Sequence, residues 1–183
     1  SHVCIGYADI FCLAAIYSAA ELPTAMCTVV DKSLAAKPTI PTKSDTVAFF
    51  YITSNGQVQV RKSTDYVPKM ISLAGGEYIF DASNDDDTGR STMNMQLEDF
   101  YNGAIDADYL IYNSAIDGGV KNLNELLDKC PVLADFRAVK DGNVFCTTND
   151  MYQQSMSAGN LIEDFHRMLT GDDKETRYLY RLK

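Results

Sequence analysis

ADYLIYNSAIDGG, residues 107–119, contains the most informative predicted strand of this chain. Its apolar run, 109–112, is typical of a strand that helices cover on both faces, as in a parallel sheet. The run ends at Asn113 and Ser114, and two glycines follow within five residues. The stretch therefore predicts a buried parallel strand that presents polar side chains at its carboxyl end.

Strand-like and helix-like segments alternate on both sides of this stretch. TVAFFYIT (46–53) is a second buried run, SNG (54–56) predicts a hairpin turn into QVQVRK, and DGNVFCTT (141–148) predicts a turn and a third buried strand. The helix-like segments are DYVPKMISLAGG, LEDFYNGAI, VKNLNELLDKC and SAGNLIEDFHRMLTG. This order predicts an α/β fold with three layers, helix–sheet–helix, and a mostly parallel central sheet.

The first 45 residues have a different character. Residues 5–37 show helical spacing of apolar side chains, and KPTIPTKSD (37–45) carries two prolines and reads as a connector. We therefore expect linker helices and a connector over residues 1–45, followed by an α/β lobe over residues 46–183.

Composition limits the functional classes. The 183 residues carry 16 basic and 25 acidic side chains, a net charge of −9, so nucleic acid is not an expected partner. No apolar run is long enough to span a bilayer, and no signal peptide is recognisable. If the protein is exported, its targeting segment lies outside this sequence. The five scattered cysteines show no zinc-ligand spacing, so no metal site is predicted.

Catalytic motifs are absent from the sequence. It has no phosphate-binding glycine loop after a strand, and SMSAG (155–159) only approximates a nucleophile elbow. His166 follows Ser157 by nine residues on one predicted helix, which is too far for the two side chains to bond. The acidic loop 81–91 fits no EF-hand register. We therefore expect a protein that is not an enzyme.

The three buried runs end in FFYITSNG, YLIYNS and FCTTNDMYQQS. Their hydroxyl, amide and aromatic groups can bond to and stack on a ligand, but they do not transfer protons readily near neutral pH. Ligands of such sheets bind beyond the carboxyl ends of the strands. These ends therefore predict a binding surface.

Four segments in this order resemble a known family: YVPKMISLAGGEYIF, LEDFYNGAIDADYLIYNS, LADFRAVKDGNVFCTT and YQQSMSAGNLIEDFHRML. They are similar to the C-terminal lobe of ABC-transporter substrate-binding proteins of the iron–siderophore, haem and cobalamin type. The resemblance covers about residues 46–170, and the preceding helices resemble the linker between the two lobes of that family.

The resemblance implies a non-enzymatic receptor that holds its ligand in a cleft between two lobes and delivers it to an ABC permease. It implies export, to the periplasm or to the extracellular face of the membrane through a lipid anchor outside this chain. Since 183 residues are too few for both lobes, we expect this chain to form one wall of the cleft. An isolated lobe is also expected to self-associate. No resident cofactor is implied.

The site residues follow from the resemblance. Arg61 is the cation expected to face an anionic siderophore or propionate. Glu98, at a helix start, is the residue expected to dock on the permease. The other residues expected to face the cleft are Tyr51, Thr53, Asn55, Asn113, Met151, Tyr152 and Gln153.

Two alternatives remain open from the sequence. The first is a self-contained flavodoxin-like α/β domain that binds a nucleotide or flavin, with or without enzymatic activity. It needs a phosphate-binding loop after its first strand, where TSNGQVQV predicts a hairpin instead. The second is a lobe retained only for protein–protein contact.

Overall fold

The computed structural model of this chain describes residues 44–80, 90–116, 118–152, 158–172 and 176–183. The predicted linker helices, most of the acidic loop 81–91, Ser157 and Gln153 lie outside the described residues. The proposed division at residue 45 therefore stays a prediction. The remaining elements can be compared with the sequence one by one.

Seven strands of the described residues form one sheet: β1 (Thr46–Ile52), β2 (Val58–Arg61), β3 (Glu77–Tyr78), β4 (Thr92–Met95), β5 (Tyr109–Tyr112), β6 (Val144–Thr147) and β7 (Leu179–Arg181). Their order is β4-β2-β1-β5-β6-β7, with β3 beside the first residues of β1. The predicted strands 47–52, 109–112 and 144–147 are all present.

The centre of the sheet is parallel and its margins are antiparallel. β1 pairs in parallel with β3 and β5, and β5 pairs in parallel with β6. β2, β4 and β7 each join through antiparallel pairing. The sheet is therefore more mixed than the sequence suggested, because the antiparallel edge strands β4 and β7 were not predicted.

The described helices cover both faces of the sheet: α1 (Tyr66–Ala74), α2 (Leu97–Ala104), α3 (Leu123–Lys129), α4 (Arg137–Lys140) and α5 (Ala158–Thr170). One apolar core places Phe100, Leu126 and Ala138, from α2, α3 and α4, against Leu110. The other places α1 and α5 against Ile111 and Phe145. The three-layer helix–sheet–helix architecture is confirmed.

Local sequence explains where α1 begins and ends. Asp65 precedes it in an extended conformation, and Gly75 ends it with a φ of 100°. A φ of this sign is readily available only to glycine, and the amides of Gly75 and Gly76 bond to the last carbonyls of the helix. The glycine pair at the end of DYVPKMISLAGG therefore ends α1.

A polar cluster at the amino edge of the sheet fixes the position of β5 against β1. Asp108 accepts hydrogen bonds from the Thr46 amide at 3.0 Å and from the Thr46 hydroxyl at 2.8 Å, and it pairs with Arg137. Because strand register is set here, the opposite ends of β1 and β5 are aligned as well.

Candidate functional site

The carboxyl ends of β1, β5 and β6 lie side by side at one edge of the sheet. Tyr112 pairs with Phe50 of β1 and with Cys146 of β6. The next residues along the three strands are Tyr51, Asn113 and Thr147, so they form a row across the sheet. This carboxyl edge is where ligands bind in open α/β sheets.

Asn113 is the most unusual residue of this edge. Asn113 is only 3% exposed, and its backbone N–H donates to the Phe50 carbonyl at 2.8 Å. Its side-chain Oδ1 has no hydrogen-bond partner among the described residues. Thr148, just beyond β6, has a buried Oγ1 that also lacks a partner there. Buried polar atoms without partners are rare because each costs free energy. Two of them on neighbouring strands indicate groups available to a ligand or a water molecule.

Ser114 and Thr147 behave differently, because both are buried and satisfied. The Ser114 amide donates to the Thr147 Oγ1 at 3.0 Å, and the Ser114 hydroxyl donates to the Thr147 carbonyl. These bonds tie the ends of β5 and β6 together. They make the edge rigid without using its free polar atoms.

An aromatic pair lies beside the polar atoms. The half-buried Tyr51 ring is 6.1 Å from the buried Tyr112 ring, centroid to centroid, and the planes differ by 35°. The Lys129 Nζ lies 5.4 Å from the Tyr112 centroid and 3.5 Å from its hydroxyl. Tyr51 is therefore an aromatic side chain at the rim that can stack on a planar ligand.

The β1–β2 hairpin supplies two more predicted residues. The Thr53 hydroxyl donates to the Gln57 carbonyl at 2.9 Å, which closes the loop, and Gly56 has a φ of 77°. Asn55 is exposed at the tip. The structure thus brings Tyr51, Thr53 and Asn55 to the same edge as Asn113.

The residues after β6 reach this edge through a short 3-10 helix, Asn149–Tyr152. Met151 is only 4% exposed and packs in the apolar core with α1 and α5, so it anchors the 3-10 helix to that core. The backbone of Tyr152 ends the 3-10 helix, and Gln153 lies outside the described residues.

Arg61 is not brought together with these residues. It lies at the far end of β2, three residues beyond Val58, which at roughly 3.4 Å per residue is about 10 Å from the carboxyl edge. Its guanidinium pairs with Asp65 at 3.3 Å and lies 5.9 Å from the Tyr66 ring. Because β2 runs antiparallel to β1, Arg61 lies toward the amino ends of the parallel strands, away from the carboxyl edge.

Glu98 lies in the first turn of α2, directly after β4. The last residue of β4, Met95, pairs with Val58, the first residue of β2, so α2 starts at the carboxyl edge. Glu98 and Asp99 are both exposed. The residue predicted for docking is therefore on the rim of the candidate site.

Burial raises the pKa of three groups that lie at different distances from this row. Asp65 follows the far end of β2, whereas Tyr180 pairs with Cys146 on β6 and Asp164 accepts the amide of Tyr178, whose carbonyl accepts the Thr148 amide. Burial raises the pKa of Asp65 despite its Arg61 partner, and burial raises the pKa of Asp164, which accepts two backbone amides. His166 is half-buried on α5, with Nδ1 3.2 Å from the Ala74 carbonyl oxygen. Packing and hydrogen bonds to the backbone account for the burial of these side chains.

Membrane-spanning helices and metal-ligand clusters are both absent from the described residues. None of their helices is both long and apolar enough to cross a membrane. No group of three or more histidine, cysteine or acidic side chains among them could hold a metal ion.

Sequence reasoning missed Thr148 and the Ser114–Thr147 bridge. The signal was present in the two consecutive threonines of FCTT, directly after a buried run. Which of the two hydroxyls is satisfied depends on the neighbouring strand, so the sequence alone does not distinguish them.

The fold of this chain is similar to that of several solved binding proteins. An ABC transporter substrate-binding protein from Listeria monocytogenes matches 91% of this chain at 17% identity with a TM-score of 0.59. The chain has the fold of these proteins over part of their length. S. aureus IsdE, crystallised with haem, matches 89% at 18% identity and a TM-score of 0.60. The vitamin B12 binding protein BtuF of Vibrio cholerae matches 92% at 15% identity and a TM-score of 0.55.

A sequence relative adds a second kind of evidence. An uncharacterised lipoprotein of Methanocaldococcus jannaschii is 28% identical over 142 residues, which are 75% of this chain and 35% of that protein. No protein-family model matches the chain. The chain thus spans about a third of this relative, and 64%, 63% and 62% of the three solved structures.

Proposed function

We propose that this chain is part of the solute-binding component of an ABC importer, and that it contributes one wall of a cleft for an iron complex or cobalamin. The observation that carries the proposal is the row Tyr51, Asn113 and Thr147 at the carboxyl edge, where the buried oxygens of Asn113 and Thr148 lack partners. The fold shared with haem-binding and vitamin B12-binding proteins supports the ligand class.

The chemistry of the edge fits a large ligand bound by stacking and neutral hydrogen bonds. Tyr51 offers an aromatic face, and Asn55 and Asn113 offer amide groups. Tyr152 and Gln153 would extend the wall, and Thr53 and Met151 would hold it in place. Without Arg61 in this row, recognition by this wall rests on shape and neutral polar contacts.

A binding role agrees with the location that we propose. The sequence relative is a lipoprotein, and several proteins with this fold are periplasmic. We propose that the protein works outside the cytoplasmic membrane, held by a lipid anchor or free in a periplasm, and that it hands its ligand to a permease. In this role it carries out no chemical reaction.

The test is ligand binding by the protein that carries both lobes. Haem, a ferric hydroxamate, a ferric catecholate and cobalamin are titrated in turn, followed by visible absorbance and calorimetry. We expect one class to bind. Tyr51→Ala should weaken that binding at least tenfold, because a stacked aromatic contributes about 0.5–1.5 kcal/mol in addition to the free energy of its buried area.

Tyr101→Ala is the matched control, since Tyr101 is also half-buried but packs against Phe136, on the face formed by α2. It should lower stability without changing affinity for the bound class. If none of the four ligands binds, or if the Tyr51 and Tyr101 variants bind equally well, the proposed cleft wall is wrong.

A further inference from the structure

An open groove of about 650 Å3 lies between helix α1 and strand β3, away from the candidate site. Its lining includes Pro68, Lys69, Leu73, Glu77, Tyr78 and Phe80. Leu73, in the last turn of α1, is 54% exposed, whereas Pro68 and Phe80 are buried beside it. A leucine at the mouth of a partly apolar groove is suited to contact with an amphipathic helix.

The chain enters the described region next to this groove. The Asp45 carbonyl accepts a hydrogen bond from the Glu77 amide at 2.9 Å, and Thr46 pairs with Glu77 at the start of β3. Since Glu77 lines the groove, the described chain begins at the border of the groove. Asp45, the second described residue of the chain, is thus hydrogen-bonded to a residue of the groove wall.

The other segments outside the described residues are poor candidates to cover it. Residues 81–89, DASNDDDTG, follow Phe80 directly but contain no apolar side chain larger than alanine. Residues 153–157 follow the 3-10 helix at the carboxyl edge, which is the opposite end of the sheet. The N-terminal segment is the one that combines position with large apolar side chains.

Residues 24–37, TAMCTVVDKSLAAK, have the required pattern. Met26, Val29, Val30 and Leu34 recur at the spacing of one helix face. The connector 37–45 spans at most roughly 26 Å when extended, and the nine residues of α1 span roughly 14 Å. A helix over 24–37 can therefore reach any position along α1.

We propose that the groove beside α1 is the packing site for residues 24–37 of this same chain. The apolar face of that helix lies on Leu73, and the connector holds it there. This inference does not depend on the proposed ligand, because the groove and the carboxyl edge are at different ends of the sheet. It makes the N-terminal helix part of the folded lobe.

Hydrogen exchange of the intact 183-residue chain, followed by mass spectrometry, tests the proposal. Amides in 24–37 should be protected in the parent protein. Leu73→Asp and Val30→Asp each place a carboxylate in the contact, so each should speed exchange in 24–37 at least tenfold. Strand β5 should keep its protection in both variants, which shows that the sheet still folds.

Each variant has a matched control. Ile116→Asp adds the same charge at another apolar residue that is 53% exposed, in the loop after β5. Thr28→Asp adds it on the opposite side of the predicted helix from Val30. Neither should change exchange in 24–37.

Three results would overturn the proposal. Residues 24–37 could exchange as fast as an unstructured peptide in the parent protein. Leu73→Asp could leave their protection unchanged. Alternatively, sedimentation could show a dimer of the parent chain that Leu73→Asp dissociates, which would assign the groove to a second copy of the chain.

Discussion

Asp164 shows how a single buried carboxylate can be structural. It is 2% exposed on α5, and its Oδ2 accepts the amides of Arg177 at 2.9 Å and Tyr178 at 2.7 Å. These bonds fix the turn that leads into β7. Burial is the largest influence and raises the pKa, while the two amides and Arg167 act against it. Asp164 therefore orients the turn through its hydrogen bonds, although burying its charged form costs free energy.

Replacing Asp164 with asparagine should change the pH dependence of stability. A carboxyl whose folded pKa exceeds its unfolded value contributes stability below the unfolded value, and this is lost as pH rises through the folded pKa. Asparagine keeps an oxygen for the amides without ionising. From about pH 4 upward, the Asp164→Asn variant should therefore gain stability relative to the parent, by about 1.4 kcal/mol per unit of pKa difference.

Urea unfolding of both proteins between pH 3.5 and 7 measures this difference. Asp128→Asn is the control, because Asp128 is an exposed aspartate on α3, which covers the other face of the sheet. A parent-to-variant difference that stays constant across this range would contradict the raised pKa.

The residue scale also shows the limit of reading a site from sequence. Tyr51, Asn55 and Asn113 could be placed at the carboxyl edge because each ends or follows an apolar run. Arg61 could not, because the number of residues in the hairpin and in β2 decides at which end of the sheet it lies. The free oxygens of Asn113 and Thr148 depend on contacts between strands, which no local pattern encodes.

Among the elements, those with a continuous apolar run or clear end signals were predictable. β1, β5 and β6 are apolar runs, and α1 carries its glycine stop. β4 (TMNM) and β7 (LYR) are short edge strands in which polar residues interrupt the pattern. Their pairing comes from the neighbouring strand, so the sequence does not specify them alone.

Helix α2 begins with two acidic residues that we expect to differ in function. Glu98 and Asp99 share its first turn, are both exposed, and both interact favourably with the helix dipole, by about 0.3–1 kcal/mol each. If only the dipole mattered, the two residues would be equivalent. We predict that they are not equivalent and that Glu98 alone docks on the permease.

In the full-length receptor, Glu98→Ala should leave ligand affinity unchanged and reduce uptake of the ligand by cells. Asp99→Ala, which removes the same charge from the same turn, should leave uptake near the parent level. Equal uptake by the parent and the Glu98 variant would remove the docking role.

At the scale of the whole molecule, the relation between this chain and its structural neighbours matters most. The match to the Listeria monocytogenes protein covers 91% of this chain but only 64% of that protein. The candidate site is a row of side chains along one edge of one sheet. In the proposed cleft this edge is one wall, and the opposite wall comes from residues beyond those described.

A ligand between two walls is desolvated on both faces and contacts polar groups of both. A single wall leaves one face in water and loses every contact of the other. Since each 1.4 kcal/mol changes affinity about tenfold, the loss of several contacts should weaken binding by orders of magnitude. The uncovered edge, with Tyr51 at its rim, also favours contact between two copies of the chain.

We therefore predict that the 183-residue chain folds, binds ferric siderophore, haem and cobalamin weakly or not at all, and self-associates through the carboxyl edge. Titration calorimetry with the three ligand classes measures the first part, and sedimentation of the free chain measures the second. Tyr51→Asp should shift the sedimentation equilibrium toward monomer, because it places a charge at the rim of this edge. Val132→Asp is the control of equal charge, since Val132 is an exposed apolar residue in the short 3-10 helix Pro131–Asp135, away from the carboxyl edge. A sub-micromolar complex with the monomer would show that this single wall is a complete receptor.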